Sequence, residues 1–434
     1  MSIQHWFFCT SVALSLPVWA QVHATPAAAI PRLASTELTQ PIAVTLEQAL
    51  QAARNNLDVS LAQRNFDAAR ADVLSADRAP TPILTAKTAS IDLQNGVGSG
   101  NALNDKRIDK SIGLDWTWER GNKRELRTRG AQFAAQAAQA DLDEALVQQQ
   151  LATVGAYYDL LAAQERITQV QAIAHSAVEL ARTAQRRLSA GDLSLQDAAR
   201  SDIEAERTNA DLRSAQADRV RAELTLKQVT RLSGALVADA AWPTPALTLP
   251  NLPEPQLDAR PDVRAAVRRT EAAQAVLESA EALRKNDLTL GTSFDHYPSS
   301  STRMLEFRVQ MPLAGLFGNY AYQGELGRAT AQLSQAQDLL DKTRLSAALD
   351  ISRLQQDLLA ASERALTYQN AIVPRARQVA SMAELAYSKG AMSLTELLDA
   401  RRTLRAALLE DVTTRADHAR SLAAWQLRRL APAL

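Results

Sequence analysis

Leu160-Leu161-Ala162-Ala163-Gln164-Glu165-Arg166 is nearly rewritten further along as Leu358-Leu359-Ala360-Ala361-Ser362-Glu363-Arg364. The same order of echoes continues outward in both directions. Leu57-Asp58-Val59 returns as Pro261-Asp262-Val263, the run Ile83 to Thr88 answers to Asp287 to Thr292, Gly121-Asn122 to Gly318-Asn319 and Gly130 to Gly327. Gly191-Asp192-Leu193-Ser194-Leu195 returns as Gly390-Ala391-Met392-Ser393-Leu394. Ordered matches at a nearly constant separation mean that the chain is an internal duplication, and the plan of one half must serve for the other.

That plan is mostly helical. The chain has 434 residues, 46% of them hydrophobic but only 5% aromatic. Ala and Leu interleaved with Gln, Arg and Glu make long helices rather than a large conventional core. Each half opens with a helix (46–78; 261–285), passes through a strand hairpin (83–119; 287–312), and enters a very long helix (122–188; 324–388). A Gly-containing turn near 191 or 390 then leads to a returning helix (195–232; 394–430). Leu142, Leu146, Val154, Tyr157 and Leu161, and Leu397, Leu404, Leu408 and Val412, hold helical spacing, so each long helix is expected to pack antiparallel on the helix that returns across its turn. At 1.5 Å per residue a long helix runs about 100 Å.

Segmentation follows from the punctuation. Residues 1–24 read as a secretory signal with cleavage after Ala20 or Ala24, and 25–44 as an irregular lead-in. Residues 45–238 form the first repeat and 260–431 the second; 239–259, with Pro243, Pro245, Pro250, Pro253 and Pro255, form an extended linker.

The strands carry the membrane signal. Ile112, Leu114, Trp116 and Trp118 alternate with Gly113, Asp115 and Thr117; Leu305, Phe307, Val309 and Met311 alternate with Glu306, Arg308 and Gln310. Period two over about nine residues is the length of a tilted outer-membrane strand, so Ile112, Leu114, Trp116, Trp118, Leu305, Phe307 and Val309 are assigned to lipid. Trp116, Trp118 and Tyr297 are placed as interfacial aromatics. Half-buried sheet in a soluble protein gives the same alternation. Four strands cannot close a barrel, and an open edge in lipid leaves backbone groups unsatisfied, so a membrane role requires several copies. The polar tips, 95–107 and 298–302, read as extracellular loops.

Lys and Arg balance Asp and Glu at 48 each, so no global field favours nucleic acid. The lone cysteine, Cys9, lies in the signal, and His5, His23, His175, His296 and His418 are scattered. No catalytic group, resident metal site or cofactor is expected. A structural coiled-coil protein of the periplasm, or an adaptor, would share the helices but leaves the strands and the full duplication without a purpose.

One stretch is specific: Tyr387-Ser388-Lys389-Gly390-Ala391-Met392-Ser393-Leu394-Thr395-Glu396-Leu397-Leu398-Asp399-Ala400-Arg401-Arg402-Thr403, supported by Arg260-Pro261-Asp262-Val263-Arg264-Ala265-Ala266. With these the mature chain resembles the TolC-like outer-membrane efflux protein family, in its cation and heavy-metal branch of CzcC-like proteins. The resemblance implies a mainly α fold with a small β part, and a homotrimer. A twelve-stranded barrel in the outer membrane would continue as an α-helical periplasmic tunnel. It implies as partners a periplasmic adaptor (membrane fusion protein), an inner-membrane pump of the RND type and outer-membrane lipid. A type I protein-secretion outlet has the same fold and stands as the alternative.

Under that resemblance Tyr387, Glu396 and Asp399 guard the periplasmic entrance. Glu396 and Asp399 are three apart, hence on one helical face, and mutual repulsion is expected to raise carboxylate pKa values there. Met392 stands where the best-studied branch has an arginine that tethers the closed entrance, so entrance control is expected to rest on Tyr387 and the carboxylates. Gly191, Ser194 and Asp197 in the first half, and Gly390 and Ser393 in the second, are assigned to adaptor-docking tips, Ser194 as a helix cap.

Overall fold

The computed structural model describes residues 41–91, 94, 96, 98–100, 108–248, 256–297, 302–312 and 320–429. The signal segment, Cys9, most of the 25–44 lead-in, most of the 95–107 loop, residues 298–301, the Gly318-Asn319 echo and the linker residues Pro250, Pro253 and Pro255 lie outside them.

From the N-terminus the elements are β1 (Ile42–Val44), α1 (Leu46–Ala53), α2 (Leu57–Ala76), β2 (Ile83–Ala89), β3 (Asp109–Trp118), α3 (Lys123–Ser189), α4 (Leu195–Thr230) and β4 (Leu236–Ala238). The second half, after a short 3₁₀ turn at Leu257–Ala259, supplies α5 (Pro261–Ala282), β5 (Leu288–Tyr297), β6 (Thr302–Gln310), α6 (Gln323–Thr367), a π turn (Tyr368–Ile372), α7 (Val373–Ser388) and α8 (Leu394–Arg429). At 67 residues α3 is about 100 Å long.

Three departures from the sequence reading have local causes. The single helix expected over 46–78 is two helices, because Asn56 caps α2 through Asp58 N–H at 2.9 Å. Its amide also donates to Val229 O at 2.8 Å, filling a carbonyl at the end of α4. The lead-in is not wholly irregular: Ile42–Val44 pairs in parallel with Leu236–Ala238. The long helix of the second half is not uniform, being interrupted by the π turn.

Buried positions along the helices are chiefly alanines, among them Ala177, Ala181 and Ala184 on α3 and Ala376, Ala380 and Ala383 on α7. Small side chains let the helix axes approach closely. The largest apolar cluster lies midway along α3, where Val154, Tyr157, Leu160 and Leu161 gather Val44, Leu226, Leu236 and Ala419. The Tyr157 hydroxyl donates to Val44 O at 3.1 Å, and the Gln164 amide spans both backbone groups of Ala238 (2.8 and 3.0 Å). Trp242 stacks on Tyr158 and donates its indole N–H to Glu165 at 2.7 Å. Thus the segments that have no repeat are bolted to one stretch of α3.

Two sheets form, β1-β4 and the antiparallel β2-β3-β5-β6. The β3–β5 pairing fuses the two strand hairpins into one sheet and leaves β2 and β6 as open edges. Among the described residues no helix is long and apolar enough to cross a membrane.

Candidate functional site: the strand wall and the helical tips

The register of the four-stranded sheet sorts its faces. Ile112, Phe294 and Leu305 lie side by side across three strands, as do Leu114, Thr292 and Phe307, and Trp116, Leu290 and Val309. All seven residues assigned to lipid fall on this face, and Leu84, Leu290 and Phe294 extend it. Exposure is large, 77% for Phe307 and 55% for Trp118, so the single chain leaves an apolar wall uncovered.

The opposite face is polar. A shallow hollow there is lined by Lys87, Asp109, Asp295, Glu306 and Arg308, and by Tyr297, which therefore stands on the polar side rather than among the interfacial aromatics. Arg308 reaches over β5 to Asp115 at 2.6 Å. Gly291 makes that bridge possible: a Cβ there would fall 2.3 Å from the Asp115 carboxylate. Below the sheet, Lys123 Nζ bonds Asp287 at 2.8 Å and Lys285 O at 2.9 Å, tying the exit from one strand hairpin to the entry of the other.

The other end of the helices carries the two Gly turns. Gly191 (φ 83°) and Gly390 (φ 74°) adopt left-handed backbone, and the residues after them donate back to Arg187 O and Ala386 O at 2.8 and 2.9 Å. The helix C-termini are closed in this way at a conformation that costs glycine little. The Ser194 hydroxyl caps α4 by accepting from Asp197 N–H at 3.1 Å, and it donates to the Asp197 carboxylate at 2.8 Å. Ser393 and Glu396 form a reciprocal box at the start of α8: the Glu396 carboxylate accepts from Ser393 N–H at 2.8 Å and from its hydroxyl at 2.7 Å. Those bonds hold the Glu396 carboxyl below its ordinary pKa. Within one chain the direction is opposite to the rise expected from crowded carboxylates. Asp399 is exposed one turn further along α8.

Tyr387 packs with Ala383, Leu394, Leu397, Leu398, Met392 and Leu180. Its ring and hydroxyl meet Arg187 of α3, with the guanidinium carbon 5.6 Å from the ring centroid and N–H to Oη at 3.2 Å. Arg200 of α4 donates to Thr395 of α8 at 2.7 Å. Higher up, Arg402 meets Glu204 at 2.7 Å, Arg405 meets Asp211 at 3.1 Å, and Arg401 donates to Ser176 O at 3.3 Å. Met392 is packed into the apolar tip, and guanidinium groups elsewhere tie one hairpin to the other.

Sequence reading missed Arg187 and Arg200 because both stand on the first hairpin while the motif stands on the second. The signal lies in charge distribution: α8 and α5 supply Arg264, Arg269, Arg402, Arg405, Arg415, Arg420 and Arg428, whose partners in the first half are Asp143, Asp141, Glu204, Asp211, Glu165, Asp159 and Glu144. Among the described residues no group of three or more His, Cys, Asp or Glu could hold a metal ion.

No protein-family model matches the chain. It is 26% identical to the cobalt-zinc-cadmium resistance protein CzcC of Cupriavidus metallidurans over 365 residues, 83% of this chain and 84% of that protein. It is 31% identical to the pyoverdine export outer membrane protein OpmQ of Pseudomonas putida over 176 residues, 40% of this chain and 37% of that one. Among solved structures CusC superposes with a TM-score of 0.75 at 16% identity, covering 93% of this chain and 97% of that one. With the doubled helical plan, the fused strand hairpins and the tip motif already in place, the chain is similar to CzcC over most of its length and shares the fold of CusC.

Proposed function

We propose that this chain is one third of a passive exit duct. Three copies supply twelve strands, since each sheet has four, and pairing of β2 with the β6 of a neighbour removes every open edge. The observation that carries the reading is the uncovered apolar wall bounded by two unpaired edges: in water it is a liability, and in a closed barrel it is the lipid face. The helical hairpins would continue the barrel as a tunnel through the periplasm. At its mouth Gly191, Ser194, Asp197, Gly390 and Ser393 would meet a periplasmic adaptor, itself joined to an inner-membrane pump of the RND type.

Entrance control falls to Tyr387 with Glu396 and Asp399. Arg187 and Arg200 act as latches that hold the second hairpin against the first. Metal cations are the cargo favoured by the length of the CzcC match, and the carboxylate pair at each tip suits cations.

Single-channel conductance of the purified protein in planar bilayers tests the duct and the latches together. The native trimer should show a small cation-preferring conductance, and Arg187→Ala with Arg200→Ala should raise it several-fold with trimers intact. A native protein that forms no channels would refute the duct; an unchanged conductance in the double variant would refute the latches. Loss of export of one metal from a panel, in a strain lacking the gene, would assign the cargo.

A further inference from the structure

We infer that the second hairpin carries a built-in hinge at the π turn Tyr368–Ile372, below which α7 and the facing part of α8 swing as one arm while the first hairpin stays fixed; this deepens the gated-duct reading and rests on it.

Four observations converge. First, the backbone N–H of Val373 donates to Tyr368 O, a bond one residue longer than the α pattern, and the next residue, Pro374, has no N–H to give. A proline ring in a regular helix strikes the carbonyl four residues back, here that of Asn370; the wider π turn accommodates it and leaves the ladder short of bonds. Second, the π turn has a counterpart in sequence. Gly390 lies one residue further from the Leu358 block than Gly191 lies from the Leu160 block, so this stretch of the second half carries one extra residue. An inserted residue that leaves both flanks helical is what a π turn stores. The equivalent stretch of α3, Val170 to Ala174, is uninterrupted α-helix.

Third, the seam between the hairpins changes character at this level. Above it they share an apolar core in which Ala419 of α8 joins Tyr157, Leu160 and Leu161 of α3. Just below it the packed core gives way to a half-open cleft of about 230 Å³ between α3, α4, α7 and α8, bordered by Ile173, Leu180, Leu398 and Leu404 and spanned by the Arg402–Glu204 bridge. Farther down, the ties are the polar latches and the small tip cluster around Leu398. Side-chain bridges at a wet cleft, rather than a packed apolar core, join the hairpins there, so the arm can turn without a buried core being opened. Fourth, α8 offers a matching soft point. Leu408 packs beside Ile372 and Val373, and the next turn of α8 is the β-branched run Val412-Thr413-Thr414. Both threonine hydroxyls donate to carbonyls of the preceding turn, a bond that bends helices.

None of the residues of the π turn is buried, so the backbone can flex there without opening the core. The arm also bears an exposed apolar stripe, Val379, Met382 and Leu385, whose covering would alter as it turns.

Removal of Asn370 together with Pro374→Ala should convert the π turn to regular helix while keeping the faces of α7 in place. In planar bilayers the straightened trimer should behave as the native one when latched. Added to Arg187→Ala with Arg200→Ala, it should abolish most of the several-fold conductance gain that the latch variant shows alone. An equal gain with and without the straightening overturns the hinge and leaves the gate standing, whereas no gain in the latch variant itself indicts the gate. A second measurement needs no variant to fold. In hydrogen exchange on the native trimer, amides of 368–376 should exchange at least about tenfold faster than those of 170–178 in α3. Equal protection of the two segments overturns the hinge whatever the conductances show.

Discussion

The two helical hairpins descend from one plan and have diverged in opposite directions. In the first, α3 is unbroken for 67 residues, and its middle is bolted to β1, β4 and Trp242 through Tyr157, Tyr158, Gln164 and Glu165. In the second, the equivalents of the two tyrosines are Gln355 and Gln356, which bury little, and the long helix is interrupted twelve residues later. The contrast teaches that a duplicated scaffold can divide labour by moving its anchors: one hairpin takes the aromatic bolts and becomes a strut, the other loses them and is free to carry the residues proposed for the entrance.

The sharpest way to break this comparison is to remove a bolt. Tyr157 is fully buried, and burial pushes its hydroxyl up to about 12, so the phenol stays neutral and serves as a donor to Val44 O. Tyr157→Ala should cost about 3–5 kcal/mol, as deletions of buried aromatics do. Gln355→Ala at the equivalent place should fall within about 0.5 kcal/mol of the native protein. Thermal unfolding midpoints of the two variants in detergent check it; a small loss at Tyr157, or an equal loss at both, would mean that the first hairpin is no strut.

A middle-sized effect is expected at the Gly turns, where the halves should differ in function rather than in stability. Both glycines are left-handed and neither has a heavy atom within 4 Å of an added Cβ, so space is not the constraint. Conformation is: a β-branched residue in that region costs about 1–2 kcal/mol. Gly390→Val and Gly191→Val should therefore lower the melting temperature similarly with the trimer assembled. Export should fail in the first and be impaired less in the second, because only the second half joins its turn to Tyr387, Glu396 and Asp399. Equal export by the two variants would remove the asymmetry assigned to the tips.

Much of this was readable from residues alone because the repeat and the period-two strands are local signals: Ile112, Leu114, Trp116 and Trp118 identify their face without help from any partner strand. Tyr297 did not, since a residue at the end of a strand with weak alternation takes its face from the register with β3 and β6, which is long-range information. β1 was invisible for the same reason; three residues become a strand only when Leu236–Ala238 arrives alongside. Arg187 and Arg200 were missed because a latch between hairpins joins residues about two hundred positions apart, and nothing near either arginine marks it. The π turn was hidden by the near regularity of the repeat, in which a single added residue is easily absorbed into an alanine-rich run.

The finest test concerns Glu396, where helix capping and the proposed entrance charge coincide on one carboxylate. The first hairpin closes its returning helix with Ser194 and Asp197, the second with Ser393 and Glu396. The Ser393 hydroxyl and amide hold the Glu396 carboxyl below 4.5, so its help to the helix start is complete above that value and is lost as pH falls through the lowered one. Glutamine can make the same reciprocal box without the charge. Glu396→Gln should then leave the melting temperature almost unchanged near neutral pH and flatten its dependence in the acid range, while cation preference of the conductance falls. Glu396→Ala should lose both the cap and the preference. If Glu396→Gln keeps full cation preference, the residue serves the helix only, and charge selection at the mouth passes to Asp399, which lies one turn along the same helix and has no part in the box.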